Sequence, residues 1–375
     1  MIALSKIYRV GGFVRDKMLG LPAHDCDFVV VGATPEEMLK NGFMPVGRDF
    51  PVFLHPKTHE EYALARTERQ SGKGYHGFTF YTAPSVTIEE DLKRRDLTIN
   101  AMAENLATGK KIDPFGGEND LNNKILRHVS LAFCEDPVRI LRLARFWARF
   151  ADFKIADETQ SLCQKMIATG EIDFLVKERV WQEFAKGLME KTPAKMLEFW
   201  WQFDIFQHFF KGLDFSTVNP KKFSKLNDAA QQNLALNQRF AVFCGILGDE
   251  TMAKKIAQQF AAPKDCAVAS ALLCRFKNQK ISALTAENWH DFLTAFDIIR
   301  RPKRFEDYLQ AAAVLKPLNV NRLRGAALAF HSAKISKIVH NTPPNEIAQK
   351  IRAVRIAALG DFLKNERIFN EKAQG

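Results

Sequence analysis

Residues 11–32 read GGFVRDKMLGLPAHDCDFVVVG, and this stretch sets the fold class. Its end, DFVVVG (27–32), is a compact apolar, β-branched run, the pattern of a buried strand. Before it, FVRDKML reads as a short helix ended by Gly20. Upstream, KIYRV (6–10) is a strand that runs into Gly11-Gly12. Downstream, PEEMLKNG predicts a helix stopped by Gly42, and VFL and EYALAR predict two further strands. Past about residue 135 the texture changes. Apolar residues recur at three and four, and the helical pattern persists to the end, interrupted at NPKK, AAPKD, RRPK, KPLN and NTPPNE. The expectation is an α+β chain: a head of mixed sheet plus helices, then an all-helical neck, body and tail. The expected divisions are 1–137, 138–225 and 226–375. No internal repeat of fixed period is visible.

The chain has 375 residues, which predicts two or three domains. It is 46% hydrophobic and 26% charged, which excludes wholesale disorder and a fibrous architecture. No run approaches the roughly 18–20 apolar residues of a spanning helix, and the start, MIALSKIYRVGG, lacks the pattern of a secretory signal. The expected location is cytoplasmic. The net charge is +11, unevenly placed: residues 1–150 hold 21 basic and 19 acidic residues, and the remaining 225 hold 33 and 24. A near-neutral front with a basic back suggests a polyanionic partner along the second part. The six cysteines never fall as C-x-x-C and none joins a histidine pair at zinc spacing, so they read as small core residues in a reducing compartment. Histidines 24, 55, 59 and 76 likewise show no zinc spacing.

Asp25 and Asp27 stand one residue apart at the entry to the apolar strand. Side chains at i and i+2 share a face, about 6.5–7 Å apart at Cα. Two carboxylates converging on one spot repel unless a cation lies between them, and oxygen-only ligation suits Mg²⁺, which fills its other positions with water and phosphate. The paired glycines, Gly11 and Gly12, let backbone N–H groups approach an anion. Arg15, three residues on, offers a bidentate fork to a phosphate. In EDPVRILRLARFWARF (135–150), Arg139, Arg142, Arg145 and Arg149 fall within an arc of about 120°. Val138, Leu141, Ala144 and Ala148 lie largely opposite, able to face the core. The stripe is either solvated, with Asp136 as a helix cap, or part of a site.

The combination of Gly-Gly, a gap of twelve residues, D-x-D and an apolar strand resembles the signature of the DNA-polymerase-beta-like nucleotidyltransferases. Within that superfamily, G-G-x-V-R-D-x-x-L-G resembles the class II tRNA nucleotidyltransferases, the CCA-adding enzymes, and their relatives the bacterial poly(A) polymerases. DLKRRDLTINAM (91–102) resembles the R-R-D-x-x-x-N-A motif of that class, DPFGG (113–117) its flexible-loop motif, and KERVWQE (177–183) a neck motif. The resemblance implies catalytic, metal-holding roles for Asp25 and Asp27, and nucleotide contacts for Gly12, Arg15 and Arg95. It implies base reading by Asp136 and Arg139, with Arg142 and Arg145 steadying base and phosphates. A third carboxylate often stands on a neighbouring strand in this superfamily, and Glu61 is the candidate, with Glu60 adjacent. The implied substrates are CTP and ATP, the cofactor is Mg²⁺, working as two ions, and the partner is the acceptor end of tRNA. One Asp acceptor beside one Arg donor matches the edges of both cytosine and adenine and mismatches guanine and uracil, so protein alone can choose the base. The implied activity is template-independent addition of CCA. The alternatives are a poly(A) polymerase and a variant adding CC or A alone.

Long members of this family often carry a C-terminal HD-type metal phosphohydrolase domain. Where its His-Asp pair would stand, FAVFCGILGD (240–249) has Gly245-Ile246, neither able to bind a metal. The expectation is a shortened, degenerate HD-like tail that holds tRNA. His290-Asp291, without supporting histidines, reads as surface.

Overall fold

The computed structural model describes residues 2–374 apart from 24–25, 47–51, 71–77, 334 and 336–342, and for 68–70, 78–81 and 367–374 it describes the backbone alone. Asp25 therefore lies outside the described residues. Along the chain there are two compact units, residues 1–209 and 210–375.

The first unit begins with strands β1 (Ile7–Val10), β2 (Asp27–Val30), β3 (Met44–Val46), β4 (Val52–Leu54), β5 (Glu61–Leu64), β6 (Thr67–Gln70), β7 (Phe78–Tyr81), β8 (Ala103–Asn105) and β9 (Lys111–Ile112). Seven of them form one sheet in the order β3-β4-β5-β2-β1-β8-β9, and β6 pairs with β7 as a separate hairpin. Every pair in the large sheet is antiparallel except β2 with β5. The apolar run of β2 is explained by burial on both faces. Period-two alternation sends Phe28 and Val30 to a cluster with Met38, Phe53 and Tyr62, and sends Val29 to another with Val10, Ile88 and Leu92. The helices of this part are α1 (Gly12–Met18), α2 (Pro35–Lys40), α3 (Ile88–Lys93) and α4 (Gly117–Asn122). Both α2 and α3 open with reciprocal caps, Thr34 with Glu37 and Thr87 with Glu90.

Next come β10 (Ile125–Leu126), α5 (Val138–Arg149), β11 (Lys154–Ile155), α6 (Asp157–Ala168), α7 (Lys177–Met189), α8 (Pro193–Gln202) and α9 (Ile205–Phe209). The helical texture past residue 135 is interrupted by β11, which pairs in parallel with β10. Two residues are too few to register as a period. Helix α5 packs against α7 and α8, and Val138, Leu141, Ala144 and Ala148 are all buried as expected. The solvated-stripe alternative for its arginines is overturned, because Arg139 and Arg145 are buried as well, 7% and 9% exposed.

The second unit contains α10 (Lys225–Gln231), α11 (Leu236–Leu247), α12 (Glu250–Gln259), α13 (Lys264–Phe276), α14 (Ala286–Ala295), α15 (Pro302–Leu315), α16 (Val320–His331) and α17 (Pro344–Gln374). Its core is aromatic, with Trp289, Phe240, Phe243, Phe292 and Phe296 wholly buried. Gly245 sits in α11 where a Cβ would press on Leu315 and come within 3.4 Å of Leu273. Its carbonyl and that of Gly248 accept hydrogen bonds from the Lys277 ammonium, at 2.6 and 2.5 Å. Burial lowers the pKa of that ammonium. A cation and close packing thus stand where the metal-binding pair was sought. His290, expected at the surface, is buried against Phe330, while its neighbour Asp291 stays exposed. Position on the inner face of α14 decided this, since a His-Asp dipeptide carries no information about which side packs.

Among the described residues no helix is long and apolar enough to cross a membrane.

Candidate active site

Strand pairing brings the glycine turn to the carboxylate. Val10 pairs with Asp27 across β1 and β2, so Gly11-Gly12 begins directly beside the first residue of β2. Gly11 has φ +68°, and a Cβ there would also lie 2.8 Å from an Arg95 guanidinium nitrogen. Any larger residue would be strained and would displace that arginine. The turn is tied down by the Gly11 N–H, which donates to the Met102 carbonyl at 3.1 Å. A second tight approach holds the D-P-F-G-G loop. Asp113 accepts from the N–H groups of Gly117 and Glu118 at 2.7 and 2.8 Å, and a Cβ on Gly117 would run into the Thr98 carbonyl.

The glycine turn and the start of β2 open onto a cleft of about 570 Å³ lined by nine arginines, three aspartates, Asn100, Val138, Phe146, Gly11 and Gly12. Of the residues proposed from sequence, Gly12, Arg15, Asp27, Arg95, Asp136, Arg139, Arg142 and Arg145 all line it. Glu61 does not. It begins β5, parallel to β2 with Tyr62 opposite Phe28, so it leaves the sheet on the same face as Asp27, one strand over. Among the described residues no group of three or more His, Cys, Asp or Glu is gathered for a metal.

The arginines are held by a second ring of acids. Arg15 donates from Nε to Asp16 at 2.8 Å and from Nη1 to Asn100 at 2.5 Å, and its guanidinium lies over the rings of Phe146 and Phe150. Asp16 also accepts from Arg149 at 2.9 Å. Asp91, wholly buried, accepts from Arg94 at 2.8 Å and Arg95 at 3.3 Å, while Arg95 Nε is buried with no hydrogen-bond partner among the described residues. Asp96 accepts from Arg142 at 2.7 Å and Asn100 at 3.0 Å. Glu183 accepts from Arg145 at 2.6 Å, with Arg142 at 3.8 Å from its other oxygen. Asp136 takes a bidentate pair from Arg179, at 3.1 and 2.6 Å, and also accepts from the N–H of Val138, the first residue of α5, at 3.1 Å. Arg139 donates to the Ala132 carbonyl at 2.8 Å.

The electrostatics follow from this packing. Burial alone would raise the Asp96 carboxyl, but Arg142, Asn100 and the Leu97 N–H outweigh it and hold the group well below the usual carboxylate range. Asp91 shows the same balance, burial opposed and exceeded by Arg94 and Arg95. The charge of Asp96 raises Arg142 against its own burial. Arg15 is lowered by burial despite Asp16. Asp91 and Asp96 are thus ionised partners of Arg94, Arg95 and Arg142, and the cleft keeps a surplus of cations.

Sequence reasoning did not single out Arg179, Arg66, Asp16, Asp91 or Glu183 for this site. One signal was available for two of them: Arg179 and Glu183 are four apart on α7 and so share a face. The D-x-x-R-R run likewise places Asp91 three and four residues before its partners.

The sequence agrees with this geometry. Residues 7–127 match the family described as the poly A polymerase head domain. Residues 152–216 match the one described as the probable RNA and SrmB-binding site of polymerase A. The chain is 44% identical over 361 residues to the CCA-adding enzyme of Bordetella pertussis, spanning 96% of this chain and 97% of that one. It belongs to the CCA-adding enzyme family. It is 46% identical over 343 residues to a multifunctional CCA protein of Paraburkholderia phytofirmans, across 81% of this chain and 84% of that one. The fold is shared with the Thermotoga maritima CCA-adding enzyme complexed with tRNA, at a TM-score of 0.69 and 24% identity over 96% of this chain and 92% of that one. As a member of the CCA-adding enzyme family the chain is a nucleotidyltransferase, and the α+β class with a mixed-sheet head, expected from its sequence, holds.

Proposed function

We infer that this chain completes the 3′ end of tRNA by adding C, C and A from CTP and ATP without a nucleic-acid template, releasing pyrophosphate. The observation that carries the inference is the single cleft in which the glycine turn, Asp27 and Arg95 meet Asp136, Arg139 and Arg142. The 3′-hydroxyl gives up its proton to water, its oxygen attacks the α-phosphorus in line, the new P–O bond forms as the α–β bridge breaks, and pyrophosphate leaves. Arg95, with a buried nitrogen still to be satisfied, and Arg142 offset the charge that builds on the phosphates. Arg15 holds the loop through Asn100 and turns its remaining nitrogen toward Gly12, where the phosphates approach.

Asp136 and Arg139 read the base, with Arg145 holding the helix face through Glu183. A carboxylate has about four lone-pair sites, and three at Asp136 are engaged by Arg179 and Val138. One Oδ2 site remains for an exocyclic amino group, which cytosine and adenine have in common. Arg179 therefore orients the acceptor.

The donor set suits Mg²⁺: Asp27 is exposed at the cleft, Asp25 stands two residues before it, and Glu61 is on the adjacent strand. Asp25 and Asp27, with Glu61 as the third carboxylate, would hold it, and when bound it neutralises the triphosphate and activates the hydroxyl. Within this reading residues 1–137 are the catalytic head and 138–225 the neck. Residues 226–375 are a shortened HD-like tail without phosphohydrolase activity, whose basic surface holds the tRNA backbone. The place of work is the cytoplasm. A chelator-sensitive phosphatase activity mapping to the tail would overturn the tail's assignment.

The test is incubation of the purified chain and Mg²⁺ with tRNA lacking its last three nucleotides, supplying CTP and ATP separately and together. The expected products are C, C and then A, abolished by Asp25→Ala. Continued addition from ATP alone, with CTP ignored, would replace this reading by a poly(A) polymerase.

A further inference from the structure

In the second unit a cavity of about 390 Å³ opens between α11, α13 and α15, and no step of nucleotide addition uses it. Its floor is apolar, formed by Ala241, Leu272 and Ala311 among others. Its mouth lies at the amino-terminal ends of all three helices, with Gln238, Lys264 and Arg301–Arg304 on the rim. Each of these helices is at least twelve residues long, so each end carries a partial positive charge of about half a unit.

Acidic residues are the favoured occupants of such ends. Here α11 and α15 have none in the first turn, and α13 has Asp265 alone. Instead the sequence places Lys264 first in α13, Arg301 at the cap of α15, and Lys303 and Arg304 just inside it. Lys303 is paired with Asp307 and Arg301 with Asp297, the latter at 3.8 Å, while Lys264 and Arg304 form no ion pair among the described residues. Cations stacked on helix amino termini oppose the local field, an arrangement that an anion would relieve.

An independent feature points to the same cavity. Tyr308 lines it and is 5% exposed, its ring packed among Phe292, Phe296 and Phe305. Its hydroxyl has no hydrogen-bond partner among the described residues. The residue is buried but its hydroxyl is not enclosed, so its hydrogen-bonding capacity is open to the cavity that it lines.

We propose that this cavity binds a free nucleoside monophosphate. The phosphate sits at the helix amino termini between Lys264, Arg301 and Arg304, and the base lies on the apolar floor and accepts the Tyr308 hydroxyl. A dianion answers the accumulated positive charge better than a carboxylate does. A heterocycle supplies an acceptor at depth, which an aliphatic tail lacks. The volume lies within the range of small-ligand pockets, at the end suited to a single nucleotide.

The experiment is photolabelling of the full chain with 8-azido-AMP, followed by peptide mapping and by competition with AMP, inorganic phosphate and tRNA lacking CCA. Label is expected in residues 264–273 or 301–311, and to persist in Arg142→Ala, which disables the arginine cleft. AMP should compete at least tenfold better than phosphate. Tyr308→Phe, which leaves the volume unchanged, should weaken AMP competition roughly threefold to tenfold, the effect of one lost hydrogen bond. Ala269→Trp, which adds bulk to the cavity wall, should abolish labelling. Label confined to the arginine cleft, phosphate competing as well as AMP, label that appears only with RNA present, or a folded Tyr308→Phe chain with unchanged AMP competition would each overturn the proposal. CCA addition is assayed on the same preparations, so failure here is distinguishable from failure of the proposed activity.

Discussion

The two units bury different things. In the first, Arg15, Asp16, Asp91, Asp96, Arg139, Arg145 and Glu183 are each less than a tenth exposed, and most of them support the wall of the cleft. In the second, eight of the twelve largest wholly buried side chains are found, all phenylalanine or tryptophan. The difference reflects what each interior must do. Nine guanidiniums around one cleft repel one another, and without fixed counter-charges they would splay into solvent. The acids behind them hold seven in place while leaving the cleft net positive, so the electrostatic field is in position before any triphosphate arrives. Among the described residues the second unit carries no such cluster in its core, and its stability comes from apolar area and ring packing. It too holds cations, the buried Arg239 and the half-buried Lys277, and satisfies them with backbone carbonyls, those of Leu234 and of Gly245 and Gly248.

The largest expected effect comes from the cleft's mouth. Asp27→Ala should lower the rate of nucleotide addition about 10³-fold, the scale of several kcal/mol of lost charge stabilisation. As an exposed residue it should leave the melting temperature nearly unchanged, read by single-turnover kinetics beside thermal unfolding.

Next, the two interiors can be broken one at a time. Asp96→Ala leaves Arg142 without its main partner and should cost about 3–5 kcal/mol. Phe292→Ala opens a cavity and should cost a similar amount, about 3–5 kcal/mol. The outcomes diverge in function: the first should also raise the KM for CTP and ATP, while the second should leave it unchanged in the folded fraction. Equal KM values would show that the buried charges serve stability alone.

Base choice should respond to a smaller energy. Asp136→Ala removes the acceptor held by Arg179, and discrimination of C and A against U and G should fall roughly fivefold to 150-fold, the range of one buried polar contact. Competition between nucleotides at a fixed primer end measures it.

Acid should unfold the charge-lined unit by a specific route. The Asp91 and Asp96 carboxyls are held below their ordinary values in the folded chain. The stability they contribute is complete above the ordinary carboxylate range, begins to fall as pH drops below about 4, and is lost as pH passes through their folded-state values. Denaturation midpoints of Asp96→Asn between pH 5 and 3 should therefore change less steeply than those of the parent chain. The smallest effect is expected at Lys277→Met, about 1–2 kcal/mol from two unsatisfied carbonyls, with CCA addition intact.

Much of the site is visible in local sequence. The strand, glycine turn and helix of residues 6–20, the D-x-D at a strand entry and the amphipathic spacing of residues 138–149 depend on short-range φ/ψ preferences and on side-chain periods of two and 3.6. Each appears in the structure at the expected place, apart from Asp25, which lies outside the described residues. Periodicity identifies the faces of α5 but not what each face meets, so a solvated stripe and a site wall look alike until α7, α8 and the head pack around it. The choice of partner for each charge was also decided in three dimensions. Arg179 finds Asp136 across 43 residues, and Arg149 finds Asp16 across 133. The same holds for His290 turned inward, for β11 joined to β10, and for Lys277 set beneath Gly245. Local sequence determines which way a backbone runs and which side chains share a face. Pairing among buried charges depends on which surfaces are desolvated together, and that exists only once the chain has folded.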